Sequence, residues 1–330
     1  MAIARIGSRR GRRADLRHWA GAGLLALALA GCDGLPPRAS PVPPARPAGL
    51  AAPPEIAAAP SPAATARARR YAALQADLLT RGLLRTDGGG PDTPYSADDL
   101  VRNFEAIAFY DEYTGRALPR RGGRAGSGKL TRWQAPVRIG VEFGPSVAAA
   151  QARRDAAAIG AYARRLARIT AHPVAAAQSG ANFHVFIAGQ DDGPFLAGRI
   201  RQLIPQIGAR ELALFTDMPE QFFCLLVTLP APGAPDVIAR AVALIPAEHP
   251  DLIRLSCVHE EIAQGLGLPN DSPAARPSIF NDDDEFALLT SHDEMLLRML
   301  YDPRLRPGMT AAEALPAARI IARELMGQAL

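Results

Sequence analysis

Residues 257–271, CVHEEIAQGLGLPND, are the most informative part of the sequence. Its apolar residues recur four positions apart, which places them on one face of a helix. These inward-facing residues are Val258, Ile262 and Leu266. The glycines at 265 and 267 are typical of a helix end. An amphipathic helix therefore explains the apolar residues, but it does not explain the polar side chains between them.

The segment before this helix predicts a sheet packed against a long helix. Residues 137–143 alternate between apolar and polar side chains, which is typical of a strand with one buried face. Residues 147–169 carry apolar side chains at helical spacing and predict a long helix on that strand. Further strands are predicted at 182–187, which alternates in the same way, at 222–229 and, as strand or helix, at 237–245. This order of elements indicates an α+β fold.

Two helices are predicted nearer the N-terminus. Residues 71–84 read as a short helix that ends before a run of three glycines and Pro91. A second helix begins at Ser96, with Asp99 three residues later as its capping partner. A basic, glycine-rich stretch follows, which is either a solvated loop or a contact with anionic lipid head groups. Its cations are Arg116, Arg120, Arg121, Arg124, Lys129 and Arg132.

The first 31 residues predict a leader rather than part of a fold. They contain six arginines and a single acid, Asp15, followed by an uncharged apolar run at 20–30. That run is far shorter than the roughly 20 residues of a permanent membrane helix. Its end, Leu29-Ala30-Gly31-Cys32, resembles the bacterial lipobox. We therefore expect a signal peptide over residues 1–31 and a lipid on Cys32, which would hold the domain at a bacterial membrane in the periplasm.

Residues 32–70 are rich in proline and alanine and have hardly any large apolar side chain. Such a composition cannot bury enough surface to fold, and it predicts a stiff, disordered tether. Residues 71–330 are long enough for one domain with a substantial core. Within it, 71–130 is expected to be a helical extension with the basic loop, and 131–310 the core.

The charge balance argues against nucleic acid as a partner. The whole chain has a formal net charge of +4, but residues 1–31 alone carry a net +5. Removal of the leader would leave the mature chain near −1. A nucleic-acid-binding domain would be expected to have a clustered basic face. We therefore predict a membrane contact through the lipid and an envelope protein or peptide as partner.

Two cysteines remain besides Cys32, and they are Cys224 and Cys257. In an oxidising compartment the simplest prediction for such a pair is a disulfide. The alternative is that both are small buried apolar side chains.

The opening stretch resembles the signature of the zinc metallopeptidases called metzincins, H-E-x-x-H-x-x-G-x-x-H. When Gly267 is aligned with the signature glycine, Glu260, Gln264 and Asn270 take the three ligand positions and Glu261 takes that of the general base. The resemblance implies a zincin-like domain with a mixed β-sheet, a long helix and an active-site-type helix. Residues 278–281 lie where the Met-turn would be, with phenylalanine in place of methionine, and residues 289–301 resemble the closing helix.

The ligand positions lack histidine, so the resemblance predicts loss of zinc chemistry. Zinc prefers imidazole nitrogen or thiolate sulfur to an amide oxygen. Two metal sites remain as alternatives. One uses His259 with Glu260 and Asp271, and the other is an oxygen site for calcium or manganese formed by Glu260, Gln264, Asn270 and Asp271. The acidic run at 281–285 is better explained as a solvated turn than as a calcium loop.

The whole chain also resembles a proteobacterial family of lipoproteins of unknown function, through the His259-Glu260-Glu261 stretch and residues 301–305 with Gly308-Met309. We therefore predict a zincin-like binding domain without a cofactor. The alternative is a metal-dependent, peptidase-like hydrolase with Glu261 as general base.

Overall fold

The computed structural model describes residues 59–109, 128–220, 222–281 and 283–328. The predicted signal peptide, Cys32 and the predicted tether up to residue 58 lie outside these residues. So do four cations of the basic stretch, Arg116, Arg120, Arg121 and Arg124. The described residues belong to one compact unit, and none of their helices is long and apolar enough to cross a membrane.

Helix α1 spans Pro62–Thr80, so the prediction that the tether reaches residue 70 is wrong. The hydroxyl of Ser61 accepts a hydrogen bond from the backbone N–H of Ala64 and caps the first turn. Pro62 stands in that turn, where its missing N–H has no helical partner to lose. Alanine and arginine are good helix formers. The composition that suggests a tether is therefore also compatible with a helix, provided that Ser61 and Pro62 begin it.

A six-stranded mixed sheet forms the centre of the fold. Its strands are β1 (Arg132–Trp133), β2 (Val137–Phe143), β3 (Val174–Ala176), β4 (Phe183–Ala188), β5 (Leu225–Ala231) and β6 (Ala234–Pro246). The main order is β1-β6-β4-β2-β3, with parallel pairing throughout. Strand β5 lies outside this order and pairs antiparallel with β6. The segment predicted as strand or helix is therefore a strand, and the predicted α+β class with a mixed sheet is confirmed.

Seven further α-helices are present among the described residues. They are α2 (Ala97–Ala108), α3 (Ala149–Thr170), α4 (Gly193–Leu203), α5 (Ala209–Thr216), α6 (Asp251–Gln264), α7 (Ser291–Tyr301) and α8 (Ala311–Leu325). Helix α2 starts with the predicted capping box between Ser96 and Asp99. Helices α4, α5 and α8 were not predicted from the sequence.

Both faces of the sheet are covered. Phe183, Val185 and Ile187 of β4 belong to the larger core, which the sheet shares with α2, α3, α6, α7 and α8. Phe186 and Ala188 of the same strand lie in a second core with α4 and α5. All six residues of β4 are buried, as expected for a parallel strand with helices on both sides. The larger core holds α6 against the sheet.

Candidate functional site around helix α6

Helix α6 has no capping side chain of its own, because Pro250 precedes it. The cap comes instead from α1, where the side-chain oxygen of Gln75 accepts a hydrogen bond of 3.2 Å from the backbone N–H of Ile253. Arg254, which is 3% exposed, donates to a carboxylate oxygen of Asp155 on α3 at 2.9 Å. Helix α6 is thus fixed at its start by both neighbouring helices.

His259 is held as a core side chain. Its Nδ1 accepts a hydrogen bond of 3.0 Å from the backbone N–H of Leu289. Its ring stacks on that of Tyr162, with the ring centres 4.0 Å apart and the planes at 6°. The hydroxyl of Tyr162 donates to the backbone carbonyl of His259 at 2.9 Å. These contacts join α6 to α3 and to the segment before α7. They also occupy Nδ1, which is one of the two ring nitrogens through which a histidine can bind a metal.

Glu260 lines a pocket of about 70 Å³ beside α6, here called the α6 pocket. Helix α6 contributes one continuous face to it, formed by Ile253, Ser256, Cys257 and Glu260. The other walls come from Leu78 and Leu84 of the N-terminal segment, from Phe223 and Cys224, and from Ile279, Asn281, Asp284 and Phe286. Glu260 itself is half-buried.

The remaining predicted ligands are engaged within the protein. The side-chain amide of Gln264 donates to a carboxylate oxygen of Asp271 at 3.3 Å, and that of Asn270 donates to the backbone carbonyl of Ala106 at 2.8 Å. Glu261 is 5% exposed. Among the described residues, no group of three or more histidine, cysteine, aspartate or glutamate side chains is arranged to hold a metal ion. The two amides at ligand positions do not fit a zinc site.

The turn at 278–280, predicted to stand where a Met-turn would be, is fastened by Asp293 of α7. This carboxylate is completely buried and accepts hydrogen bonds from the hydroxyl of Ser278 at 2.6 Å and from the backbone N–H of Ile279 at 3.0 Å. It also accepts from the backbone N–H and the hydroxyl of Thr290. Four donors on one carboxylate fix the turn and the start of α7 together.

The sulfur atoms of Cys224 and Cys257 lie 2.08 Å apart, which is the distance of a disulfide bond. Cys224 directly precedes β5, whereas Cys257 lies in the middle of α6. Both residues line the α6 pocket. The pair that the sequence suggests therefore links the sheet edge to the helix at one wall of the pocket.

A second buried imidazole, that of His249, lies two residues before α6, and together with His259 it makes the stability depend on pH. Burial lowers the pKa of His249 to about 3, and the charges of Arg254 and Arg67 add to this effect. Its Nε2 has no hydrogen-bond partner. Burial, together with the charge of Arg165, likewise lowers the pKa of His259 to about 3. In the unfolded chain a histidine titrates near about 6.5. The folded state therefore has its full stability above that pH and loses it as the pH falls toward 3.

Each of these histidines is expected to reduce the free energy of unfolding by about 2 kcal/mol between pH 6.5 and pH 5. Urea unfolding at both pH values, followed by the fluorescence of the buried Trp133, measures this loss. In a His249→Gln variant the loss should be smaller by about 2 kcal/mol, because glutamine does not titrate. An equal loss in the variant and the parent chain would contradict the assignment.

Sequence reasoning missed most of the pocket. Asp283 and Asp284 are exposed, as expected for the solvated turn predicted at 281–285, but the sequence did not indicate that Asn281 and Asp284 also line the α6 pocket. It also gave no role to Leu78 or Phe223. The available signal was the apolar face of the N-terminal helix, but the sequence does not say which surface that face covers.

The chain matches the model of a protein family over residues 97–319. This match begins with α2, includes the whole sheet and α6, and leaves out α1. No curated protein and no solved structure matches the chain. Because the matched segment covers about two thirds of the sequence, the chain belongs to the family described as a protein of unknown function, DUF2927.

Proposed function

We propose that this chain is a lipid-anchored protein of the bacterial envelope whose domain binds a peptide or a protein partner through the α6 pocket, without zinc-dependent catalysis. The observation that carries the proposal is the pocket itself, which opens along one face of α6 and is walled by apolar side chains and carboxylates. Apolar clefts with a few polar groups are the usual form of binding sites.

We further propose a zincin-like core. In its support, a strand is followed by the long helix α3, more strands and then α6, in the order that the metzincin resemblance implies. Gly267 has a φ of 123° just beyond α6, where the signature requires a sharp turn. The fastened turn at 278–280 and the helix α7 follow at the expected places.

The ligand positions support binding rather than hydrolysis. They hold one carboxylate and two amides, and both amides donate hydrogen bonds within the protein. Without a metal to acidify a water molecule, Glu261 would have little to activate as a base. If the purified chain contained a stoichiometric transition metal and cleaved peptides, and if Glu261→Gln abolished that cleavage, the hydrolase alternative would replace this proposal.

The anchor would give the domain a long reach. Cys32 and the start of α1 at Pro62 are 30 residues apart. A proline-rich chain extends about 3.1 Å per residue, so the domain would reach roughly 90 Å from the membrane surface. Such a distance suits a partner that lies deep in the periplasm or in another layer of the envelope.

The proposal predicts that filling the pocket abolishes peptide binding. Leu78 lines the pocket and is 4% exposed, whereas its neighbour Leu79 is 47% exposed. Peptides selected from a random display library on the purified chain should lose at least about tenfold in affinity for Leu78→Phe, because the ring occupies the cavity. The variant Leu79→Phe is the matched control and should bind as the parent chain does.

Fluorescence anisotropy with labelled selected peptides measures both affinities, and circular dichroism verifies that both variants are folded. Peptides that bind equally to Leu78→Phe would exclude the α6 pocket as the site. Failure to select any peptide would contradict the binding function.

A further inference from the structure

The outer face of α3 carries a row of three arginines, here called the α3 row. Arg153, Arg164 and Arg168 recur at helical spacing, so their side chains leave the same side of the helix. All three are exposed, and so are Ala157 and Ala161, which lie between them on that face. The row extends over roughly 22 Å, since a helix rises about 1.5 Å per residue. The surface between the guanidinium groups is flat, because it consists of alanine.

The α3 row has no ion pair within the part of the chain that the structure describes. The other two arginines of α3 do have carboxylate partners. Arg154 lies 3.8 Å from a carboxylate oxygen of Asp251, and Arg165 lies 2.9 Å from one of Glu294. The three side chains of the row therefore remain available to an external anion.

The carboxylates that these neighbours use are shared with further arginines. Asp251 also pairs with Arg254, at 2.5 Å, and Glu294 also pairs with Arg298 of α7, at 3.9 Å. Asp155, the acid of α3 itself, pairs with Arg254 at 2.9 Å. None of these three carboxylates is available to neutralise the row. The mature chain is expected to have a net charge near −1, so the row is a local feature and not the mark of a basic protein.

The α3 row faces away from α6. Tyr162 and Asp155, through which α3 contacts α6 and its Arg254, leave the opposite side of the helix. No residue of α3 lines the α6 pocket. A surface that covers the row therefore does not take part in the proposed peptide site.

We propose that the α3 row docks the domain on a membrane surface of anionic phospholipids. Arginine binds a phosphate group through two parallel hydrogen bonds, and a flat row of three suits an extended layer of head groups better than a single anion. Each arginine close to an anionic membrane strengthens the binding by about fivefold.

This inference rests on the proposed anchoring and adds a second contact to it. A lipid on Cys32 would hold the domain near the membrane at a high effective concentration, so a weak attraction is enough to populate the docked state. The tether sets the greatest distance of the domain from the membrane and does not prevent its return to the surface.

The test measures how the mature chain without its lipid binds to vesicles. Residues 33–330 keep the tether and the compact unit to which the described residues belong, and lack only the leader and the lipidated cysteine. Co-sedimentation compares vesicles that contain about 30% phosphatidylglycerol in phosphatidylcholine with vesicles of phosphatidylcholine alone. In about 100 mM sodium chloride the anionic vesicles should bind at least about tenfold more tightly, and about 1 M should remove the difference.

Two triple variants identify the surface. The row variant carries Arg153→Gln, Arg164→Gln and Arg168→Gln. The matched control removes the same charge from exposed arginines of α4, α5 and α8 that have no ion pair with another described residue, through Arg201→Gln, Arg210→Gln and Arg319→Gln. The row variant should bind the anionic vesicles about a hundredfold more weakly than the parent chain. The control should stay within about threefold, because charges more than about 10 Å away are largely screened. Circular dichroism verifies that both variants are folded.

Three results would overturn the inference. If the control variant loses as much affinity as the row variant, the attraction comes from the whole domain and not from α3. If neutral vesicles bind as well as anionic ones, the head-group charge plays no part. If the parent chain binds soluble polyphosphate but not anionic vesicles, the partner is an anionic polymer rather than a membrane.

The anchoring is tested separately, by mass spectrometry of the chain purified from bacterial membranes. A mature chain without a lipid on Cys32 would overturn the anchoring and leave the vesicle result in place. A lipidated chain whose row variant binds vesicles as the parent does would keep the anchor and overturn the docking.

Discussion

Replacing Asp293 with alanine is expected to lower the free energy of unfolding by about 5 kcal/mol. The carboxylate is completely buried, and its loss leaves the hydroxyl of Ser278 and the backbone N–H groups of Ile279 and Thr290 without an acceptor, whereas the hydroxyl of Thr290 keeps the carbonyl of Pro277. Each unsatisfied buried donor costs about 1 to 3 kcal/mol, although local relaxation recovers part of that cost. Because domains are stable by about 5 to 15 kcal/mol, much of the variant should be unfolded at 37 °C.

The control for this variant lies in the same motif on another helix. Thr290 and Asp293 form the capping box of α7, and Thr310 and Glu313 form that of α8. Glu313 is exposed, so Glu313→Ala should cost only about 0.5 to 1 kcal/mol. Urea unfolding monitored through Trp133 compares the two. Equal losses would show that Asp293 acts as a helix cap alone and does not fasten the turn at 278–280.

The contrast between these two boxes marks the limit of prediction from the sequence. Both boxes are legible as a threonine followed three residues later by an acid. Burial distinguishes them, since Asp293 is completely buried and bonded to the turn at 278–280, whereas Glu313 is exposed. That turn lies more than ten residues away in the chain, and the sequence around Asp293 does not predict the contact between them.

Prediction worked best where the pattern of side chains is local. The start of α2 follows from Ser96 and Asp99, and the strand at 137–143 has the predicted boundaries. The helix predicted at 71–84 is present as part of α1, but its predicted start is nine residues too late, because Ser61 and Pro62 begin the helix within the alanine-rich segment that was expected to be a tether. Helices α4 and α5 were not predicted from the sequence. They are stabilised by packing against the second apolar face of the sheet, through Phe186 and Leu244, and this contact is not visible in their own sequence.

At the candidate site the sequence predicted the helix and its polar side chains but not their partners. His259 was weighed as a metal ligand, whereas its Nδ1 accepts from the backbone of Leu289. The metzincin resemblance places Glu260 at a ligand position with Gln264 and Asn270, and in the structure its side chain lines the α6 pocket. Helical spacing places side chains on one face, but it does not say which other segment of the chain covers that face.

Substitution of Gly267 by alanine is expected to lower the free energy of unfolding by about 4 kcal/mol. The residue has a backbone φ of 123°, which residues with a Cβ atom rarely adopt. A Cβ there would lie 2.3 Å from the backbone oxygen of Thr131, which cannot move without displacing β1. The carbonyls of the two preceding residues are also held, since the indole N–H of Trp133 donates to Gly265 and the hydroxyl of Tyr301 donates to Leu266.

Gly198→Ala provides the opposite control. Gly198 lies within α4 on the surface, and a Cβ there meets no atom within 4 Å. Because alanine loses less backbone entropy in a helix, this variant should gain about 0.5 to 1 kcal/mol. If Gly267→Ala were tolerated as well as Gly198→Ala, the end of α6 would be a loose turn. A large loss confined to Gly267 would instead show that β1 fixes the point at which the chain leaves α6. The position of Asn270 and Asp271 beside the helix depends on that point.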